Sequence, residues 1–200
     1  MLNQITYATK LTVLKLFISV LPLVGYSQQQ GAQSLDIASQ FTASGWMGDG
    51  EQGTKYITLL EGCKESPHSK PTCIKVSYKP GPKGWGGIYW QNKPDNWGDQ
   101  PGDSLGQGGF KKLTFWARGR RGEEILEFKA GGIHAPGKPY KDSFEVGIRK
   151  VTLESKWKQY TINLEGKNLA SVIGGFCWVA NQSANPNGLT FYLDDILYER

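Results

Sequence analysis

Short runs rich in β-branched and aromatic residues recur along this chain, separated by clusters of Gly, Pro and Asn, and no long segment sustains a 3.6-residue period. The runs fall at residues 55–60, 73–78, 87–91, 113–118, 125–131, 144–153, 157–164, 174–180 and 189–198. Only 168–173 has the composition of a helical turn. About nine or ten strands without helical crossovers must pair antiparallel, because parallel pairing needs a long return connection. The predicted fold is all-β, an antiparallel β-sandwich of jelly-roll type. The 26 glycines sit mainly between the runs, where turns require them.

Two-residue alternation assigns faces. Leu113, Phe115 and Ala117 suit the core, which turns Thr114, Trp116 and Arg118 outward. Leu126, Phe128 and Ala130 point in, so Glu127 and Lys129 share the other side. Ile88 and Trp90 look inward and Tyr89 outward. If Cys177 and Val179 are interior, Phe176 and Trp178 face out. Either a row of aromatic and charged side chains lines one open face, or loops and bulges interrupt it.

The N-terminus reads as an export signal. Lys10 and Lys15 precede an apolar run over 16–24, followed by small residues and a cleavage point after Ser27. The run is well short of the roughly twenty apolar residues that span a bilayer. No cysteine follows closely, which argues against a lipid anchor. The reading is a signal peptide over 1–27, a polar, Gln-rich disordered leader over 28–38, and a single domain over 39–200. A secreted or periplasmic location and a monomer are expected. Setting Lys10 and Lys15 aside, 23 Lys plus Arg become 21 against 18 Asp plus Glu, a net charge of +3. The charges are scattered without a phosphate-tracking stripe, so nucleic acid is not expected as a partner. Cys63 and Cys73 flank a Pro- and Ser-rich loop, and in an exported chain they are expected to form a local disulfide. Cys177, in an apolar run, reads as a small buried hydrophobe.

Trp85, Tyr89, Trp90 and Trp97 crowd into 84–98, interleaved with Gly, Asn, Gln, Asp and Lys. Flat aromatic faces stack on the apolar faces of sugars, while the polar residues can take their hydroxyls. The expected partner is a polysaccharide or glycan. Trp85, Tyr89 and Trp97 would stack on rings. Gln91, Asp95, Asn96 and Asn181 would bond hydroxyls, and Trp178, Glu127 and Lys129 would extend the platform.

The closing run Thr-Phe-Tyr-Leu-Asp-Asp-Ile-Leu-Tyr over 190–198 resembles the last strand of galactose-binding-like jelly-roll domains, which include many carbohydrate-binding modules. Leu-Thr-Phe-Trp-Ala-Arg-Gly over 113–119, followed by Glu127-Phe128-Lys129, and Trp-Lys-Gln-Tyr-Thr-Ile-Asn-Leu over 157–164 are similar to the same group, in the same order. The resemblance spans 41–199. It implies a non-catalytic, lectin-like domain. It also implies a structural calcium joining the last strand to an early loop over 44–51, with Asp194 as the matching aspartate and Asp49 and Glu51 as further oxygen ligands.

Catalysis has little support. A glycosidase needs two carboxylates across a cleft. Glu123, Glu124 and Glu127 qualify by type alone, and Glu123 and Glu124, beside Arg120 and Arg121, read as solvated charge. His68 and His134 have no Ser-centred elbow and no metal-binding pair nearby in sequence. The competing readings are a structural or protein-interaction domain of the cell envelope and a small glycan hydrolase or lyase.

Overall fold

The computed structural model describes residues 34–200. The expected signal peptide over 1–27 and most of the expected leader over 28–38 lie outside these described residues. Eleven strands build two antiparallel sheets. They are β1 (Ser34–Asp36), β2 (Thr42–Gly48), β3 (Ile57–Cys63), β4 (Cys73–Tyr78), β5 (Trp85–Gln91), β6 (Lys112–Gly119), β7 (Ile125–Gly131), β8 (Glu145–Thr152), β9 (Lys158–Asn163), β10 (Gly174–Asn181) and β11 (Leu189–Glu199). Sheet 1 runs β3-β4-β11-β6-β9, with β1 also paired to β11, and sheet 2 runs β2-β5-β10-β7-β8. Among the described residues no helix is long and apolar enough to cross a membrane.

The inward residues of both sheets form one core. Ile88, Trp90, Phe115, Phe128, Phe176, Trp178, Phe191 and Leu193 are all fully buried there. Aromatic pairs tie the layers together, with Phe115 and Phe128 4.6 Å apart and Trp178 edge-on to Phe191 at 5.3 Å.

Four sequence expectations need correction. Residues 34–38, expected in the disordered leader, are ordered: Ser34–Asp36 pairs with Glu199, Tyr198 and Leu197 of β11 and a short helix follows at Ile37–Gln40. Ile37 is fully buried, so packing orders this segment. Residues 44–48, read as part of a metal-binding loop, belong to β2. The faces of β10 are inverted: Phe176 and Trp178 point into the core, while Cys177 and Val179 point outward. The strand is central and apolar on both sides, so alternation alone could not say which side met the other sheet. The 168–173 segment, offered as a helical turn, is not helical.

The loop over 64–72 folds across the outer face of sheet 1. His68 stacks on Trp116 with ring centroids 3.7 Å apart, and its Nδ1 lies 3.0 Å from Asp195 Oδ2. Cys63 and Cys73 are a direct register pair of β3 and β4, both buried, and stand as thiols.

Candidate functional site

The outer face of sheet 2 carries the aromatic stretch. Trp85, Gly87, Tyr89 and Gln91 share that face of β5, since strand side chains alternate. Register sets their neighbours: Asn181 opposite Trp85, Val179 opposite Gly87, Cys177 opposite Tyr89. On the other flank Met47 lies opposite Gly87, and on β7 Glu127 and Lys129 lie opposite Val179 and Cys177.

These neighbours form a bounded platform. Trp85 stands 38% exposed at one end. At the other, half-buried Trp97 meets Tyr89 edge-on, with ring centroids 6.1 Å apart. The two ends are about 13 Å apart along β5, four residues at roughly 3.3 Å each. The floor between them is Gly87, flanked by Met47 and Val179. A Cβ at Gly87 would lie 2.9 Å from Met47 Cε and 3.2 Å from Val179 Cγ2, so nothing larger than hydrogen fits without displacing them. One side opens into a groove of about 500 Å³ lined by Glu127, Lys150, Val179, Asn181 and Ser183 among others. Glu127 forms no ion pair among the described residues, whereas Lys129 lies 3.5 Å from Glu145.

The other expected binding residues have different roles. Tyr89 lies on the outward side, but Ile133, Ile173 and Trp97 cover it and leave 6% exposed. Its hydroxyl donates to the Gly131 carbonyl at 3.0 Å, and burial pushes its pKa well above that of an ordinary phenol. Gln91 is fully buried, accepting from Ser44 Oγ and donating to the Asn96 carbonyl. Asn96 Nδ2 donates to Asn92 and Gln100, and its Oδ1 accepts from the Gly98 and Gln100 N–H groups. That uses both amide donors and both acceptor sites, leaving nothing for a sugar. Gln91 and Asn96 therefore scaffold the loop that presents Trp97. Asp95 is exposed in a left-handed conformation, with its N–H bonded to Ser44 Oγ. Asn181 is exposed, with Oδ1 taken by Ser183 Oγ and the Ala184 N–H. Trp178 is removed from the site, since it lies in the core with no exposed surface. The sequence reading missed Met47, Gly87 and Val179. The glycine was legible as the residue between two outward aromatics, but Val179 was hidden by the inverted faces of β10.

Asp142 holds the covering loops in place. Its carboxylate accepts from the Ile133, Ile173 and Gly174 N–H groups, joining two segments above Tyr89. Burial pushes this carboxyl up to about 6, against the opposing pull of those N–H groups.

Asp49, Glu51 and Asp194 do not fit a calcium ion. Asp49 is fully buried and accepts from Tyr78 Oη and from the Gly81 and Lys83 N–H groups, at 2.8–3.0 Å. Burial alone would raise its pKa, yet these donors hold it below the usual carboxylate value. A cation there would face the same hydrogens. Glu51 pairs with Lys83. Asp194 accepts from the His68 N–H at 2.9 Å, beside the Cys73 end of β4, whereas Asp49 sits at its Tyr78 end. Five residues of strand separate those ends, about 17 Å. Among the described residues no group of three His, Cys, Asp or Glu side chains could share one metal. The last-strand aspartates instead anchor the 64–72 loop, with Asp195 accepting from Ser69 Oγ. Glu124, read as solvated, is also buried, and its carboxylate accepts from the Arg121, Gly122 and Glu123 N–H groups.

No protein-family profile and no curated protein matches the sequence. Solved structures do. A family 30 carbohydrate-binding module is similar at a TM-score of 0.53 and 14% identity, over 84% of this chain and 99% of that one. A family 11 module from Clostridium thermocellum, solved with a β-1,3-1,4-mixed-linked tetrasaccharide, is similar at 0.52 and 16% identity, over 84% and 94% of the two chains. A family 30 module from a cellulosomal cellulase of the same organism is similar at 0.50 and 16%, over 82% and 95%. The fold is a jelly roll of the carbohydrate-binding-module type.

Proposed function

We propose that this is a non-catalytic carbohydrate-binding domain whose sheet 2 outer face holds a polysaccharide segment between Trp85 and the Trp97–Tyr89 pair. The observation that carries the reading is an exposed indole on β5 and a second, half-buried one on the loop packed against Tyr89 of the same strand, with a low floor of Gly87, Met47 and Val179 between them. Trp85 and Trp97 offer stacking surfaces, while Glu127, Asn181 and Lys150 supply polar edges. A protein-interaction face would be flat and apolar throughout, and this one has a polar groove beside its rings. The similar module solved with a β-1,3-1,4-mixed-linked tetrasaccharide makes a β-1,3-1,4-mixed-linked glycan the first ligand to test. Each stacked ring contributes about 1 kcal/mol, so dissociation constants in the range of about 1 μM to 1 mM are expected. Titration calorimetry against a glycan panel tests the reading. Wild type should bind at least one neutral glycan, and Trp85→Ala with Trp97→Ala should weaken that binding about thirtyfold while folding normally. Failure of wild type on every glycan, or unchanged binding by the double variant, would overturn it.

The same reading places the protein outside the reducing cytosol, where Cys63 and Cys73 join as a disulfide. Cα atoms of antiparallel register partners lie about 4.5–5.5 Å apart, within the span a disulfide bridges.

A further inference from the structure

The outer face of sheet 1 is built differently. Register aligns Thr58, Ser77 and Thr190 in one row, and the Arg120 N–H donates to the Thr190 carbonyl at the end of it. Ser77 and Thr190 hydroxyls lie 2.9 Å apart. This row floors an open groove of about 530 Å³ whose walls include Lys55, Lys79, Arg120 and Arg121. All four cations are exposed, and none forms an ion pair among the described residues. The one carboxylate in the lining is Glu124, buried and facing three backbone N–H groups. These hold its pKa down although burial alone would raise it, so it stays anionic, one buried negative charge beside four exposed positive ones. Four unpaired positive charges around a hydroxyl floor make a local field that the net charge of the whole chain does not reveal.

We propose that this groove is a second ligand site, independent of the Trp85 face, which takes an acidic polysaccharide through its carboxylate or sulfate groups. Hydroxyls of Thr58, Ser77 and Thr190 meet sugar hydroxyls, while Arg120 and Lys79 meet the anionic substituents, Arg by a planar fork suited to both. The groove offers no free ring for a nucleobase: Tyr78 points into the core and Lys55 lies over Tyr56 at 5.1 Å. The domain then carries a neutral-sugar face and an acidic-sugar face on opposite sheets and can crosslink two kinds of glycan.

Affinity electrophoresis of the full chain tests this, with polygalacturonate and dextran sulfate as the carboxylated and sulfated probes, uncharged dextran as the blank and duplex DNA as the rival polyanion. At least one acidic glycan should retard wild type more than DNA does. Lys79→Ala with Arg120→Ala should weaken that retention about tenfold, as expected for two exposed charge contacts. Lys141→Ala with Lys167→Ala, which removes equal charge elsewhere, should change it less than about twofold by the same reasoning. Trp85→Ala with Trp97→Ala should leave it intact, whatever that variant does to neutral-glycan binding. All four lysine and arginine positions are exposed, so both pairs should unfold at the wild-type temperature. Equal losses in the two cationic pairs, no retention by either acidic glycan, or stronger retention by DNA would overturn the proposal.

Discussion

Two tryptophans show how one residue type takes opposite roles in this domain. Trp85 is 38% exposed on the outer face of β5, and Trp178 has no exposed surface in the core, packed edge-on to Phe191. Trp178→Ala should therefore cost about 3–5 kcal/mol of stability through lost burial and the cavity left behind. Trp85→Ala should cost less than about 1 kcal/mol, as surface changes do, and act on ligand binding. Urea unfolding separates them, and equal stability losses would contradict the face assignment. The sequence reading placed both on the outward side, because Trp178 sits in a run that is apolar on both faces. Asn96 teaches the same point in polar form: its position beside Trp97 suggested a sugar contact, and its four internal hydrogen bonds make it a loop scaffold instead.

At the scale of elements, β3 and β4 are joined by the 64–72 loop, whose ends are Cys63 and Cys73. Burial and the neighbouring Cys63 push the Cys73 thiol up to about 12, so reduced Cys73 should react slowly with alkylating agents. Closing a loop this short should contribute about 2–3 kcal/mol by chain entropy. Protein purified under oxidising conditions should show one disulfide by mass, and reductant should lower its urea midpoint. A midpoint insensitive to reductant in the oxidised protein would refute the staple. Cys63 and Cys73 were legible as partners because a Pro- and Ser-rich loop brings them back together. The role of β11 was legible as a strand but not in its chemistry. Its aspartates resemble a family's metal ligands, yet the 64–72 loop folds over them and supplies N–H groups and His68.

For the whole molecule, pH dependence reports on the loops covering sheet 2. With its folded pKa near 6 and an ordinary value of 3.8, Asp142 keeps a proton in the folded state that the unfolded chain has released between those values. Raising the pH from about 3 to about 7 removes that proton and lowers stability by about 3 kcal/mol for this group, after which the effect is level. Asp142→Asn cannot titrate, so the stability difference between wild type and variant should narrow over that interval in favour of the variant. A difference that widens over the same interval would mean that the N–H groups of Ile133, Ile173 and Gly174 favour the ionised form more than burial opposes it.

The order of residues alone determined that this chain makes antiparallel strands, where most of them lie, and that its 84–98 stretch is rich in rings and hydrogen-bonding groups. Those are local properties, set by side-chain shape, turn chemistry and a two-residue period. Tertiary structure decided which side of β10 meets the core, which loop covers Tyr89, that Asp49 and Asp194 stand at opposite ends of β4, and that four cations from three separate segments gather around one groove. A two-residue period divides a strand into two faces but does not name the one that packs, and only the docking of distant segments removes one of them from water.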